Sequence, residues 1–185
     1  MTIIVLHDYR LPDSCLDALA FELERQGLDD YSMMPAICGR SSVAASINAS
    51  HKQIIRLARD MGLPEVCVLE SDVGFPVPDA WRYFLANKPE QYDLYLGGTY
   101  GEVLRDDEGY YTLIPAGFHC YCISAGYYDR FLAVPDDEHI DTAQRGGRFR
   151  LCFPFAAIQR EGWSANNQRR VDYNVNLRKG DIYMG

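Results

Sequence analysis

Two carboxylates carry the clearest chemical signal in this chain. Glu70 and Asp72 stand two residues apart directly after the apolar run Val66–Leu69, and the chain then turns at Gly74 and Pro76. On extended backbone, side chains at i and i+2 point to the same side. The pair can therefore hold one hard divalent cation, the arrangement that carries a metal-bound diphosphate. Open α/β sheets gather their ligands at such strand ends. The competing reading is two solvated acids in the loop that leaves a strand. The common phosphate cradles are missing, since there is no G-x-x-x-x-G-K-[ST] and no strand-borne G-x-G-x-x-G. The G-x-S-x-G elbow of a serine hydrolase is missing too. A phosphate-bearing ligand would depend on the cation.

The elements that must place this pair are legible from periodicity. Val66–Leu69 is continuously apolar, as in a short strand buried on both faces. Thr2–Leu6 reads as a first strand, followed by a helix over Cys15–Gln26 that Gly27 stops. Tyr31–Met34 is a second strand. A small-residue stretch from Gly39 to Ser50 then leads into a helix whose clearest part is His51–Met61, with Ile54, Ile55, Leu57, Ala58 and Met61 as its stripe. Further on come a helix over Asp79–Ala86, a strand at Tyr92–Leu96 and a hairpin over Val103–Ile114. A strand at Cys120–Ile123, a helix over Ala125–Leu132 capped by Ser124 and a strand at Phe149–Phe153 complete the set. Strands alternating with helices, then interrupted by a hairpin, predict one α/β domain over residues 1–185 with a mixed sheet.

Composition narrows the class. The net charge of −8 is split unevenly: residues 1–144 carry −13, whereas residues 145–179 carry +6. An acidic protein is a poor general nucleic-acid binder, so no nucleic-acid partner is expected. A basic C-terminal segment beside an acidic body suits an anionic small molecule bridged by a cation, or else surface ion pairs with that body. The six cysteines form no C-x-x-C pair and four lie in apolar runs, which reads as buried free thiols. No run approaches the roughly 20 apolar residues of a membrane span, and the N-terminus lacks the basic segment of a signal peptide. A cytoplasmic protein with at most peripheral membrane contact is expected.

Several segments in series resemble a known family. They are the first strand with His7 to Arg10, P-A-I at 35–37, A-S-H-K at 49–52 and V-L-E-S-D-V at 68–73. Y-D-L-Y-L-G-G at 92–98, Y-C-I-S-A-G-Y at 121–127, H-I-D-T at 139–142 and F-P-F-A-A-I-Q at 153–159 continue the order. Together, from about residue 2 to about residue 167, they resemble glycosyltransferase family 25, the lipooligosaccharide galactosyltransferases and their relatives. The resemblance implies a GT-A-like three-layer sandwich with a mostly parallel sheet, and a nucleotide-sugar donor, most often UDP-galactose or UDP-glucose. It also implies Mn²⁺ (or Mg²⁺), a glycan or lipid-linked acceptor of the lipopolysaccharide kind, and transfer with inversion at the anomeric carbon. The family's acidic motif is E-D-D; here Ser71 takes the middle place, where its hydroxyl can hydrogen-bond a ribose.

Within that resemblance Glu70 and Asp72 are the metal ligands, and Asp141 matches the late acidic position and is the candidate base. A helix cap is the alternative for Asp141. His139 can complete the metal shell. His7, Arg10 and Gly98 are candidate donor contacts, with a surface ion pair as the alternative for Arg10. Ser50, opening a helix, offers a capping hydroxyl to an anion, while His51 reads as structural. Trp163 and Asn166, with Asn167, form a candidate acceptor platform. Two other functions stay open: a non-catalytic relative that binds a nucleotide-sugar or glycan, and a nucleotidyltransferase. The latter normally has a glycine-rich basic loop after its first strand, which H-D-Y-R-L-P-D is not.

Overall fold

A computed structural model describes residues 1–164, 167 and 169–185. The chain runs through β1 (Thr2–His7), α1 (Asp13–Arg25), β2 (Ser32–Pro35), α2 (Val43–Asp60), β3 (Glu65–Glu70) and β4 (Val73–Gly74). There follow α3 (Ala80–Ala86), β5 (Leu94–Leu96) and the hairpin of β6 (Leu104–Asp106) and β7 (Gly109–Tyr111). The last elements are β8 (Cys120–Ser124), α4 (Tyr128–Leu132), β9 (Phe149–Leu151), β10 (Ile158–Gln159), β11 (Gly162–Ser164) and β12 (Arg169–Val171). Eight strands form one sheet in the order β2-β1-β3-β8-β5-β9-β7-β6. Six of them point the same way and β8 and β7 run against them, so the sheet is mixed and mostly parallel in direction.

Alternation along the strands builds two cores. Ile4 and Leu6 of β1, with Val66 and Val68 of β3, pack against Ile54, Ile55 and Ala58 of α2 and Phe131 of α4. Ile3, Val5, Cys67 and Leu69 face the other way, onto Leu19 and Leu23 of α1 and Trp81 and Phe84 of α3. The molecule is thus a three-layer α/β sandwich, and the continuous apolar run of β3 is explained by burial on both faces. From β1 the chain winds first to β2 on one side and then to β3 on the other. Right-handed crossovers in opposite directions put α1 and α2 on opposite faces. They also open a crevice beyond the carboxyl ends of β1 and β3. Among the described residues, no helix is long and apolar enough to cross a membrane.

Among the boundaries that differ from the sequence reading are two helix starts. Helix α2 begins at Val43, not near His51, with the Ser42 hydroxyl accepting the Ala45 N–H at 3.0 Å as its cap. The first half of α2 buries Ala45, Asn48 and Ser50, a face too polar to register as an apolar stripe. Ser124 caps nothing with its side chain: a 3₁₀ turn over Ala125–Tyr127 precedes α4. Where β5 ends, Gly98 lies against the Ala157 backbone, and a Cβ there would stand 2.2 Å from the Ala157 carbonyl oxygen. Gly98→Ala is expected to destabilise the protein by about 1–3 kcal/mol through overpacking, seen as a lower thermal midpoint; an unchanged midpoint would contradict this packing.

Candidate active site

The crevice at the carboxyl ends of β1 and β3 is a cavity of about 1200 Å³. Glu70, Ser71 and Asp72 line it, as do Arg10, Ser50, His139 and Asp141, so seven of the residues singled out in the sequence share one space. Two others, His7 and Gly98, do not join them there in the way expected. His7 is buried, 6% exposed, with neither ring nitrogen hydrogen-bonded among the described residues, and it is not part of the cavity wall. Gly98 has the packing role given above. The Trp163 side chain and Asn166 lie outside the described residues.

Helix α2 ties the cavity wall together. Ser50 lies inside the helix, where its hydroxyl donates to Ser46 O at 2.7 Å and accepts the Ile37 N–H at 2.8 Å. This corrects the reading of Ser50 as a helix-opening anion contact: the free N-terminal amides of α2 are at Val43, and the capping hydroxyl is Ser42, which also lines the cavity. His51 Nε2 sits 3.0 Å from Glu70 Oε1. Lys52, 1% exposed, donates to Val134 O and to Asp136 Oδ1 at 2.6 Å. Asn48 Nδ2 donates to Pro135 O at 2.8 Å and Glu138 O at 2.9 Å. The loop these two residues pin continues directly into His139 and Asp141.

Glu70 and Asp72 stand in contrasting surroundings. Burial disfavours the ionised form of Glu70, but the His51 hydrogen bond and the electrostatic pull of the His51 and His119 rings outweigh it and hold the carboxyl below its ordinary range. Burial and the Glu70 charge push Asp72 up to about 7, against the Gln159 hydrogen bond and Arg160. Asp72 Oδ2 accepts from Gln159 Nε2 at 2.5 Å, while Oδ1 is buried with no hydrogen-bond partner among the described residues. An orphaned oxygen beside a second carboxylate is a fit for a hard cation, which would relieve their repulsion. His139 does not complete a protein shell: among the described residues, no three His, Cys, Asp or Glu side chains come together as a metal-binding group. With two carboxylates the remaining positions would fall to water and phosphate oxygens, as Mg²⁺-type sites commonly arrange them.

Asp141 is held by backbone. Its Oδ2 accepts the Gly117 N–H at 2.9 Å and its Oδ1 the Thr142 N–H at 2.7 Å, which leaves carboxylate lone pairs on the cavity side. Arg10 forms a two-pronged ion pair with Asp8 at the rim, with 2.9 Å from Nε to Oδ1 and 2.6 Å from Nη2 to Oδ2. Gln159 and Arg160 were not legible in the sequence. They arrive because β10 pairs with β4, which sets Gln159 opposite Val73, and Arg160 Nη2 then reaches Ser71 O at 2.6 Å. Tyr100 and Tyr173, their rings 5.5 Å apart, complete an aromatic wall of the cavity. No local motif marks either tyrosine.

The sign of a pH effect follows from Asp72. Its folded-state value near 7 lies above the ordinary 3.8, so between these values the folded chain binds a proton that the unfolded chain has released. Stability is lost as pH rises through that window. In metal-free buffer, Asp72→Asn is expected to gain thermal midpoint relative to the unaltered protein as pH goes from about 5 to about 8. A difference constant across that range would refute the raised value.

No protein-family model matches the chain, and no curated protein matches it at a significant level. Solved structures show distant likeness. A protein from STIV shares 13% identity over 92% of this chain and 93% of that one, with a TM-score of 0.47. A glycosyltransferase involved in the glycosylation of the major capsid of PBCV-1 shares 12% over 70% of this chain and 63% of that one, TM-score 0.41. A mutant of Drosophila β1,4-galactosyltransferase 7 in complex with manganese, UDP-Gal and xylobiose shares 14% over 70% of this chain, which spans about half of that protein (51%), TM-score 0.41. At such scores the chemistry has to be read from this chain's own residues.

Proposed function

We propose that the protein is a metal-dependent glycosyltransferase of the GT-A kind, moving a hexose from a UDP-sugar to a hydroxyl of a glycan or lipid-linked acceptor with inversion. The observation that carries this reading is the convergence of Glu70, Asp72 and Asp141 on one cavity at the switch point of the sheet. The ordered motifs resembling glycosyltransferase family 25 support it, as does the cavity's volume, ample for a nucleotide-sugar. Glu70 and Asp72 would hold Mn²⁺ or Mg²⁺, which when bound supplies Lewis-acid stabilisation of a diphosphate leaving group. Ser71 keeps a hydroxyl between the two acids for a ribose contact, and Arg160, anchored on Ser71 O, adds positive charge near Asp72.

The chain's own part in the reaction is positioning and one proton transfer. The acceptor oxygen attacks the anomeric carbon, the bond to the diphosphate breaks on the opposite face, and Asp141 takes the proton that the acceptor hydroxyl releases. Backbone N–H groups from Gly117 and Thr142 fix that carboxylate before substrate arrives. The aromatic wall of Tyr100 and Tyr173 suits a sugar face and adds to the acceptor platform proposed at Trp163 and Asn166. A cytoplasmic enzyme working on soluble or membrane-surface acceptors fits these features.

A panel of UDP-hexoses assayed for UDP release with and without Mn²⁺ tests the reading. Turnover is expected with Mn²⁺ and is expected to fall at least about 100-fold in Asp141→Asn, the scale of a lost general base, while UDP binding persists. Glu70→Ala is expected to lose both turnover and Mn²⁺-dependent thermal stabilisation. UDP-sugar binding without any turnover across donors and acceptors would instead identify a non-catalytic binder.

A further inference from the structure

The Glu70 carboxylate rests on two buried side chains that the reaction above does not use. Glu70 is the last residue of β3 and continues the face that carries Val66 and Val68, the face that meets α2. There His51 Nε2 is 3.0 Å from Glu70 Oε1, and His51 Nδ1 is 3.0 Å from the Tyr121 hydroxyl on β8. Both His51 and Tyr121 are 0% exposed, and Phe118 packs edge-on against the imidazole at 5.8 Å. An ionised Glu70 oxygen can only accept, so Nε2 carries the proton and donates it. Nδ1 pairs with the Tyr121 hydroxyl, a group able to donate or accept. Burial pushes the Tyr121 phenol well up, so the hydroxyl keeps its proton. Both ring nitrogens of the buried imidazole are thereby satisfied, one by the carboxylate and one by the phenol.

Packing alone gives no reason for this chain of polar groups. The surrounding cluster is aliphatic and aromatic, and a buried polar pair is commonly replaceable by apolar residues without loss of stability. The three groups instead resemble the outer support that orients a ligating carboxylate. We propose that Tyr121 and His51 are positioning residues that hold Glu70 so that its second oxygen, Oε2, is presented to a divalent cation carrying a nucleoside diphosphate. This rests on the metal-dependent reading above.

The test titrates Mn²⁺ into each protein in the presence of UDP, reads free Mn²⁺ by its electron paramagnetic resonance signal, and records thermal midpoints without metal. His51→Phe is expected to weaken Mn²⁺ binding about 10- to 100-fold, the usual effect of removing such a support. His51→Gln, whose amide N–H reaches the same Glu70 oxygen, is expected to restore affinity close to the unaltered protein. Tyr121→Phe removes the partner of His51 Nδ1 and is expected to weaken binding in a chain that still folds, should His51→Phe not fold. Unchanged affinity in folded His51→Phe and Tyr121→Phe overturns the proposal while leaving the metal site standing. A His51→Gln protein as weak as His51→Phe also overturns it, because the hydrogen bond would then not be the operative feature. No Mn²⁺ binding by the unaltered protein removes the metal site and the positioning role with it.

Discussion

A helix that buries Asn48, Ser50, His51 and Lys52 has to find a partner for each, because an unpaired buried polar group costs about 1–3 kcal/mol. In this protein those partners are the three segments that wall the cavity. Ser50 takes the chain leaving β2, His51 takes the end of β3, and Asn48 and Lys52 take the loop that leads to Asp141. Pairing the buried polar row of α2, Asn48 Oδ1 excepted, therefore assembles the site as a side effect of folding. The same constraint explains why A-S-H-K is not an anion-binding helix start: its groups are already committed inward.

The sheet supplies the second condition. Placing β1 between β2 and β3 sends the two crossovers in opposite directions and leaves a crevice that neither α1 nor α2 closes. Inserting β8 against β3 and β5 brings Tyr121 beneath His51 and sets Gly117 and Phe118 at the cavity edge. The short pairing of β10 with β4 then closes one side with Gln159 and Arg160. Charge follows this geometry. Part of the basic C-terminal segment is spent on ion pairs, as with Arg150 against Asp106 and Glu108 on the outer hairpin, while Arg160 reaches the acidic pair. The ion-pair reading of the charge asymmetry is thus realised at Arg150.

The contrast between Glu70 and Asp72 shows how position sets chemistry for two similar groups. Glu70 is 24% exposed at its side chain and has a histidine donor, so it keeps its charge. Asp72 faces burial and that charge together, and its orphaned oxygen marks where a cation would be accommodated. A serine between them is compatible with this arrangement, because Ser71 contributes its carbonyl to Arg160 and neither carboxylate depends on it.

By itself the sequence determined most strands of the central sheet and the helices that flank it, the mixed α/β class, and the acidic pair at the end of β3. These features are written in local periodicity and in residue types two to four positions apart, which depend on backbone geometry alone. It also marked Asp141, His139 and Arg10, which share the cavity. Only the tertiary structure decided what α2 does. Its buried face is polar, so hydrophobic periodicity underestimates the helix by eight residues and makes its histidine look incidental. The roles of Gln159, Arg160, Tyr100, Tyr173 and Tyr121 depend on strand pairings between residues far apart in the chain, and no local pattern encodes such pairings. Gly98 and His7 went the other way: each sits near the end of a strand pointing toward the site, yet Gly98 packs its backbone against Ala157 and the His7 ring is buried.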